Sequence, residues 1–174
     1  MTTYTTTYVS RPITRAALKE LRSADDAGRR MVPVTDQEGG APLRCCLRHS
    51  EPGDVIALVS YAPLRRWAAE TGADPGAYDE QGPVFIHAEE CEGPAGRGHP
   101  FTRAHRTVRR YSTDGRIVGG RLVESGVASE EGSEQAFEAA FEEAFEEAFA
   151  DPEVAVVHVR AVEYGCFLYE VRRG

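Results

Sequence analysis

The chain has 174 residues, 41% hydrophobic and 28% charged, which is enough apolar material to fold around its own core. The formal net charge is −8, and the segment Glu130–Asp151 holds nine of the 28 acids and no base. The remaining 19 acids and 20 bases nearly balance, which argues against nucleic acid as a partner. No apolar run approaches the roughly 18 residues of a membrane span, and the N-terminus lacks signal-peptide features. The sequence therefore predicts a cytoplasmic protein with no membrane partner.

Local patterns in the first hundred residues predict short helices and strands separated by turns. Thr14 can cap a short helix that ends at Leu21. The β-branched run Val55–Tyr61 is typical of a central strand. The other elements predicted here are a strand at Arg30–Val34, a Gly-rich loop at Gln37–Pro42, a helix at Leu64–Gly72, a strand at Pro83–Ala88 and a loop at Gly93–Pro100.

The second part of the chain gives stronger signals. Two strands, Arg106–Ser112 and Arg116–Glu124, flank a Thr-Asp-Gly corner that predicts a hairpin. A helix follows from Ser133 to Ala150, and its phenylalanines recur every fourth residue and so form one inclined ridge: Phe137, Phe141, Phe145 and Phe149. Strands are predicted at Val154–Glu163 and Phe167–Arg172.

This order of elements predicts an α+β fold. We expect a mixed, mostly antiparallel sheet with the long helix packed on one face through its phenylalanines. We expect a single domain over residues 1–174, with the helix and strand of residues 1–35 packed on the remainder.

Several short motifs together carry a family resemblance. They are Glu51-Pro52-Gly53-Asp54, Gly82-Pro83-Val84-Phe85-Ile86-His87, Asp114-Gly115-Arg116, and Asp151-Pro152 followed by His158 and Gly165-Cys166-Phe167. From about Pro42 to the C-terminus the chain resembles the bacterial domain-of-unknown-function family 1203. The resemblance implies a compact, soluble, single-domain bacterial protein and implies no activity. Members of that family often carry a cysteine just before the arginine at position 44, where this chain has Leu43, so a thiol role there does not carry over.

Cysteine and histidine residues suggest a metal site. Cys46, His87 and Cys91 offer two thiols and an imidazole, which are ligands that suit Zn²⁺ in a tetrahedron. If the strands holding Val55–Tyr61 and Pro83–Ala88 pair antiparallel, Cys46 approaches the other two, with Cys166 or His49 as the fourth ligand. Four protein ligands would make such a site structural. The alternative is that these cysteines are core and loop residues without a metal.

A second candidate site consists of Arg44, His158 and Cys166, all at positions that match the family. Arg44 could hold an anion, while Cys166 could act as a nucleophile with His158 as its base. Alternatively, His158 and Cys166 are packing residues. A catalytic Cys166 should be alkylated quickly at pH 7, whereas a core cysteine should react only after unfolding.

One hairpin arm and its approach carry most of the local positive charge. They form either an anion-binding face or a solvated edge strand, which could pair with the acidic helix. The residues are Arg97, His99, Arg103, His105, Arg106, Arg109 and Arg110.

Three functions remain open from the sequence. The first is a binding domain for a metal ion, with zinc as the candidate cofactor, or for a small anionic ligand. The second is an enzyme that uses Cys166 and His158 with Arg44 as an anion clamp. The third is a structural or protein-interaction domain. The sequence identifies no small-molecule partner.

Overall fold

The computed structural model describes residues 7–96, 98–124 and 133–173, and side chains in the last range from residue 135. Three helices and nine strands lie within these ranges. The helices are α1 (Arg15–Leu21), α2 (Pro63–Thr71) and α3 (Ser133–Ala150). The strands are β1 (Val34–Thr35), β2 (Pro42–Leu43), β3 (Arg48–His49), β4 (Val55–Tyr61), β5 (Gly82–His87), β6 (Arg106–Ser112), β7 (Ile117–Val123), β8 (Val154–Ala161) and β9 (Phe167–Arg172).

The strands are divided between two sheets. The five-stranded sheet has the order β1-β4-β5-β2-β3, and the four-stranded sheet has the order β7-β6-β8-β9. Neighbouring strands are antiparallel in both sheets, apart from β2 and β5, which are parallel. The prediction of an α+β fold with mixed, mostly antiparallel pairing is confirmed. The division into two sheets was not predicted, because hydrophobic periodicity shows that a strand exists and not which strand it joins.

Helix α3 packs on the four-stranded sheet. Phe141 and Phe145 are fully buried, and they share a core with Val157 and Val159 of β8. The phenylalanine ridge therefore faces the sheet, as the recurrence of phenylalanine at every fourth residue predicts.

Helix α1 covers the core of the five-stranded sheet. It begins where predicted, because the Thr14 hydroxyl accepts a hydrogen bond from the Ala17 N–H at 3.2 Å. Leu18 and Leu21 are buried against Ile56 of β4 and Ile86 of β5. This second core also contains Cys45 and Cys46.

The predicted strand at Arg30–Val34 is wrong over most of its length. Residues 24–30 form a turn, in which the Asp25 carboxylate accepts hydrogen bonds from the N–H groups of Ala27 and Arg29 at 3.0 and 2.8 Å. Strand β1 begins only at Val34 and has two residues. This turn takes up Arg30, and Pro33 has no N–H to donate to a neighbouring strand, so pairing with β4 begins only at Val34.

Within the described ranges, no helix combines the length and apolar character needed to cross a membrane.

Candidate metal centre

Two adjacent thiols lie in the turn that joins β2 to β3. Residues 44–47 form this turn, and it is closed by a hydrogen bond from the Leu47 N–H to the Leu43 carbonyl at 2.9 Å. Cys45 and Cys46 are both buried in it. The parallel pairing of Leu43 with Phe85 aligns this turn with the last residues of β5.

His87 is the last residue of β5, and it meets both thiols. Its backbone N–H donates a hydrogen bond to the Cys45 sulfur at 3.2 Å. Its ring Nδ1 lies 3.4 Å from the Cys45 sulfur and 3.9 Å from the Cys46 sulfur. The imidazole edge is therefore directed at the pair of sulfurs.

Cys91 completes a cluster of four candidate ligands. It follows β5 in a segment without regular secondary structure and is half-buried. One ligand atom from each of Cys45, Cys46, His87 and Cys91 can be chosen so that all four lie within 4.8 Å of one another. Around a tetrahedral zinc ion, sulfur and nitrogen ligands are about 3.5–3.8 Å apart. Small side-chain movements would bring these four groups to that spacing.

The two adjacent thiols differ strongly in acidity. A hydrogen bond from Cys45 lowers the pKa of Cys46 to about 5, and the backbone N–H of Arg48 also acts in this direction against the effect of burial. The same hydrogen bond, together with burial, raises the pKa of Cys45. Of the two thiols, Cys46 is therefore the one whose thiolate the turn favours, and the thiolate is the form that binds metals.

Residues outside the cluster hold His87 in place. The Asp54 carboxylate lies 3.5 Å from Nε2, the ring nitrogen that faces away from the sulfurs. Carboxylates in this position commonly orient metal-binding histidines. Arg22 donates hydrogen bonds to the carbonyls of His87 and Glu89 at 3.2 and 2.7 Å, and so ties helix α1 to the end of β5.

The structure brings together three of the four predicted metal ligands, Cys46, His87 and Cys91, and adds Cys45. The predicted antiparallel pairing of β4 and β5 is present, with Ile56 opposite His87. Neither Cys166 nor His49 belongs to the cluster. His49 is instead exposed on β3 and packs against Phe101.

Sequence reasoning missed Cys45 and Asp54 as parts of this site. Cys45 could have been considered because it is adjacent to Cys46. The direction in which each side chain points, however, depends on the conformation of the turn. Asp54 directly precedes the strand that pairs with the His87 strand, and this position could have indicated its role.

Cys166 contacts Arg44 instead of the metal cluster. The Arg44 guanidinium donates to the Cys166 sulfur at 3.2 Å and to the Phe167 carbonyl at 2.7 Å, and it also donates to the Pro42 carbonyl. Arg44 is 1% exposed, and burial lowers its pKa. Two members of the predicted catalytic set are therefore neighbours, and Arg44 links the β2–β3 turn to the start of β9.

His158, the third member of that set, has a different partner. It is fully buried, and its Nε2 lies 3.0 Å from a Glu170 carboxylate oxygen across the β8–β9 pair. Its Nδ1 makes no hydrogen bond to any described residue. The roles of Arg44, His158 and Cys166 in catalysis stay predictions.

The basic residues have several partners, and the edge-strand prediction is wrong, because β6 lies between β7 and β8. His99 and Arg110 meet the acidic helix, the former at 2.7 Å from Glu142, whereas Arg106 pairs with Glu163 and Arg109 with Glu80. Arg110 of β6 meets Glu147 of α3 at 2.9 Å, and Arg121 of β7 meets Glu147 at 2.6 Å and Glu143 at 3.2 Å. Arg97 lies outside the described residues.

The fold is α+β with two sheets, and three thiols and one imidazole meet where the β2–β3 turn lies beside the end of β5. These two features define the class of protein. A family model described as "Protein of unknown function (DUF1203)" matches residues 40–173. The chain belongs to this family, as its motifs indicated. No curated protein and no solved structure matches it.

Proposed function

We propose that this protein is a metal-binding domain that holds one thiophilic divalent ion, zinc being the leading candidate, on Cys45, Cys46, His87 and Cys91. The observation that carries the proposal is the convergence of these four ligand atoms within 4.8 Å. They come from two segments separated in the chain by about 40 residues, so no local sequence effect accounts for their meeting.

The chemistry of the ligands supports zinc. Three sulfurs and one imidazole nitrogen form a common ligand set for Zn²⁺ in proteins, and harder ions such as Mg²⁺ and Ca²⁺ prefer oxygen ligands. The carboxylate of Asp54, 3.5 Å from Nε2 of His87, supports the ring orientation that a metal on Nδ1 needs.

Elemental analysis of protein purified without chelators tests this proposal. We expect about one zinc per wild-type chain. Cys46→Ser should lose stoichiometric zinc because it removes a buried thiolate ligand. Cys166→Ser is the matched control, since it changes a half-buried thiol outside the cluster and should keep its zinc. Metal-free wild-type protein that also fails to take up added zinc would refute the proposal.

A further inference from the structure

The metal cluster lies in the wall of a large groove. The groove has a volume of about 1470 Å³, and its lining includes helix α1, Cys45 and Cys91. Sites for small molecules usually measure about 300–1,000 Å³, so a small chelating molecule has room to enter. The other two ligands, Cys46 and His87, are not part of the lining.

Cys91 differs from the other three ligands in how it is held. Cys45 and Cys46 are buried in a closed turn, and His87 is fixed in the ladder of β5. Cys91 is half-buried in an irregular segment and packs against the core that contains Cys45 and Cys46, but neither it nor its neighbours Glu90 and Glu92 form a hydrogen bond with any described residue. The last anchor before it is the hydrogen bond from Arg22 to the Glu89 carbonyl. Segments with so few bonds open locally at low free-energy cost.

The surroundings of Cys91 carry negative charge. Glu89, Glu90 and Glu92 are exposed on either side of it in the chain. Like charges gathered at the mouth of a groove raise the local concentration of ions of the opposite sign. Glu90 and Glu92 line the groove beside Cys91, whereas the lining contributed by helix α1 also carries bases such as Arg15, Lys19 and Arg22. The attraction for a divalent cation is therefore confined to the immediate surroundings of Cys91.

From these observations we infer that the metal is exchangeable, and that it enters and leaves through the groove with Cys91 as the ligand that is replaced. This inference rests on the proposed metal-binding function and adds to it a function in metal transfer. In the exchange step the zinc–sulfur bond to Cys91 breaks and a bond to an incoming nitrogen or sulfur ligand forms. The freed Cys91 thiolate takes up a proton from the buffer, an incoming thiol releases its own proton to the buffer as it binds, and no electron is transferred. The incoming ligand belongs to the class of small chelators with soft donor atoms.

The rate of zinc transfer tests the inference. Zinc-loaded protein is mixed with the chromophoric chelator 4-(2-pyridylazo)resorcinol, and global unfolding is followed separately by the fluorescence of the buried Trp67. We expect transfer to accelerate with chelator concentration and to exceed the unfolding rate. Cys91→Ser should transfer zinc at least about tenfold faster, because an oxygen ligand holds zinc more weakly. Cys166→Ser should behave as wild type.

Uptake of zinc by the metal-free protein gives a second readout. The double variant Glu90→Gln/Glu92→Gln should take up zinc several-fold more slowly than wild type at low salt, and the difference should disappear at high salt.

Transfer that is independent of chelator concentration and equal in rate to unfolding, in wild type and Cys91→Ser alike, would show a closed structural metal and overturn the inference alone. A protein that binds no zinc would overturn the proposed function and this inference together.

Discussion

At the scale of single residues, the most consequential buried charge outside the metal cluster is Glu170 on β9. It is 8% exposed, and its carboxylate bonds to His158 at 3.0 Å and to Arg172 at 2.5 Å. Burial raises the pKa of Glu170, but the bonds to His158 and Arg172 outweigh this effect, so the net pKa lies below its ordinary value of 4.5. A carboxyl with a lowered pKa stabilises the fold above its unfolded-state pKa. That contribution is lost as the pH falls through the folded-state pKa.

Glu170→Gln should therefore destabilise the protein in a pH-dependent way. At pH 7 we expect a loss of about 3–5 kcal/mol in the free energy of unfolding, because His158 and Arg172 lose a buried partner. The loss should shrink as the pH falls below 4.5, because the unfolded carboxyl then takes up its proton and the folded one follows at the lower pH of its own pKa. Urea unfolding at pH 7 and pH 3 measures both values. Glu163→Gln is the control: its pair with Arg106 is half-exposed and should contribute under about 1 kcal/mol. A loss that is equal at the two pH values would contradict this account of Glu170.

At the scale of elements, helix α3 shows how one segment can have two separate roles. Its phenylalanines enter the core of the four-stranded sheet, while Glu143 and Glu147 meet arginines of the β6–β7 hairpin. The hydrophobic face contributes most of the stability, because exposed ion pairs are worth under about 1 kcal/mol each and a buried phenylalanine about 1.5–3 kcal/mol.

Truncation of the ridge tests this division. Phe141→Ala and Phe145→Ala should each lower the free energy of unfolding by about 3–5 kcal/mol, because both rings are fully buried and leave a cavity. Glu146→Ala on the exposed face of the same helix should change it by less than about 0.5 kcal/mol. Denaturant unfolding followed by circular dichroism gives these values. Losses below about 1 kcal/mol for both phenylalanines would mean that the ridge does not support the core.

At the scale of the whole molecule, the metal cluster joins parts of the chain that β-pairing and a shared core already bring together. It links the β2–β3 turn, the end of β5 and the segment after it, and Arg22 ties helix α1 to the same place. A metal bound there stabilises the folded state by mass action, since the unfolded chain has no preformed site.

Removing the metal should lower the melting temperature of the zinc-loaded protein. Metal in hundredfold excess over its dissociation constant contributes about 2.7 kcal/mol, which corresponds to roughly 5–10 °C for a chain of this size. Scanning calorimetry with and without a chelator measures the shift. Cys166→Ser should respond as wild type does, and Cys46→Ser should not respond. A wild-type melting temperature that is unchanged by the chelator would show that bound metal does not contribute to the stability of the folded state.

The sequence by itself determined the elements whose signals are local. Helix α3 occupies the predicted residues because the signals that define it, phenylalanines at every fourth position and the Asp-Pro stop, lie within or directly after it. Strands β4, β6 and β9 also match their predictions, since a run of β-branched or alternating residues defines a strand without reference to its partner. His87 and Cys91 were predicted to lie together for the same reason, being four residues apart at a strand end.

Only the tertiary structure decided which distant residues complete each site. The parallel pairing of β2 with β5 brings Cys45 and Cys46 to His87, and two-residue strands leave almost no pattern in a sequence. The start of β9 lies beside Arg44, so Cys166 becomes a neighbour of this guanidinium and not a fourth metal ligand. The first contact joins residues 41 and 42 positions apart, and the second joins residues 122 positions apart. Both contacts follow from how two sheets and their turns pack together, which hydrophobic periodicity and ligand spacing do not encode.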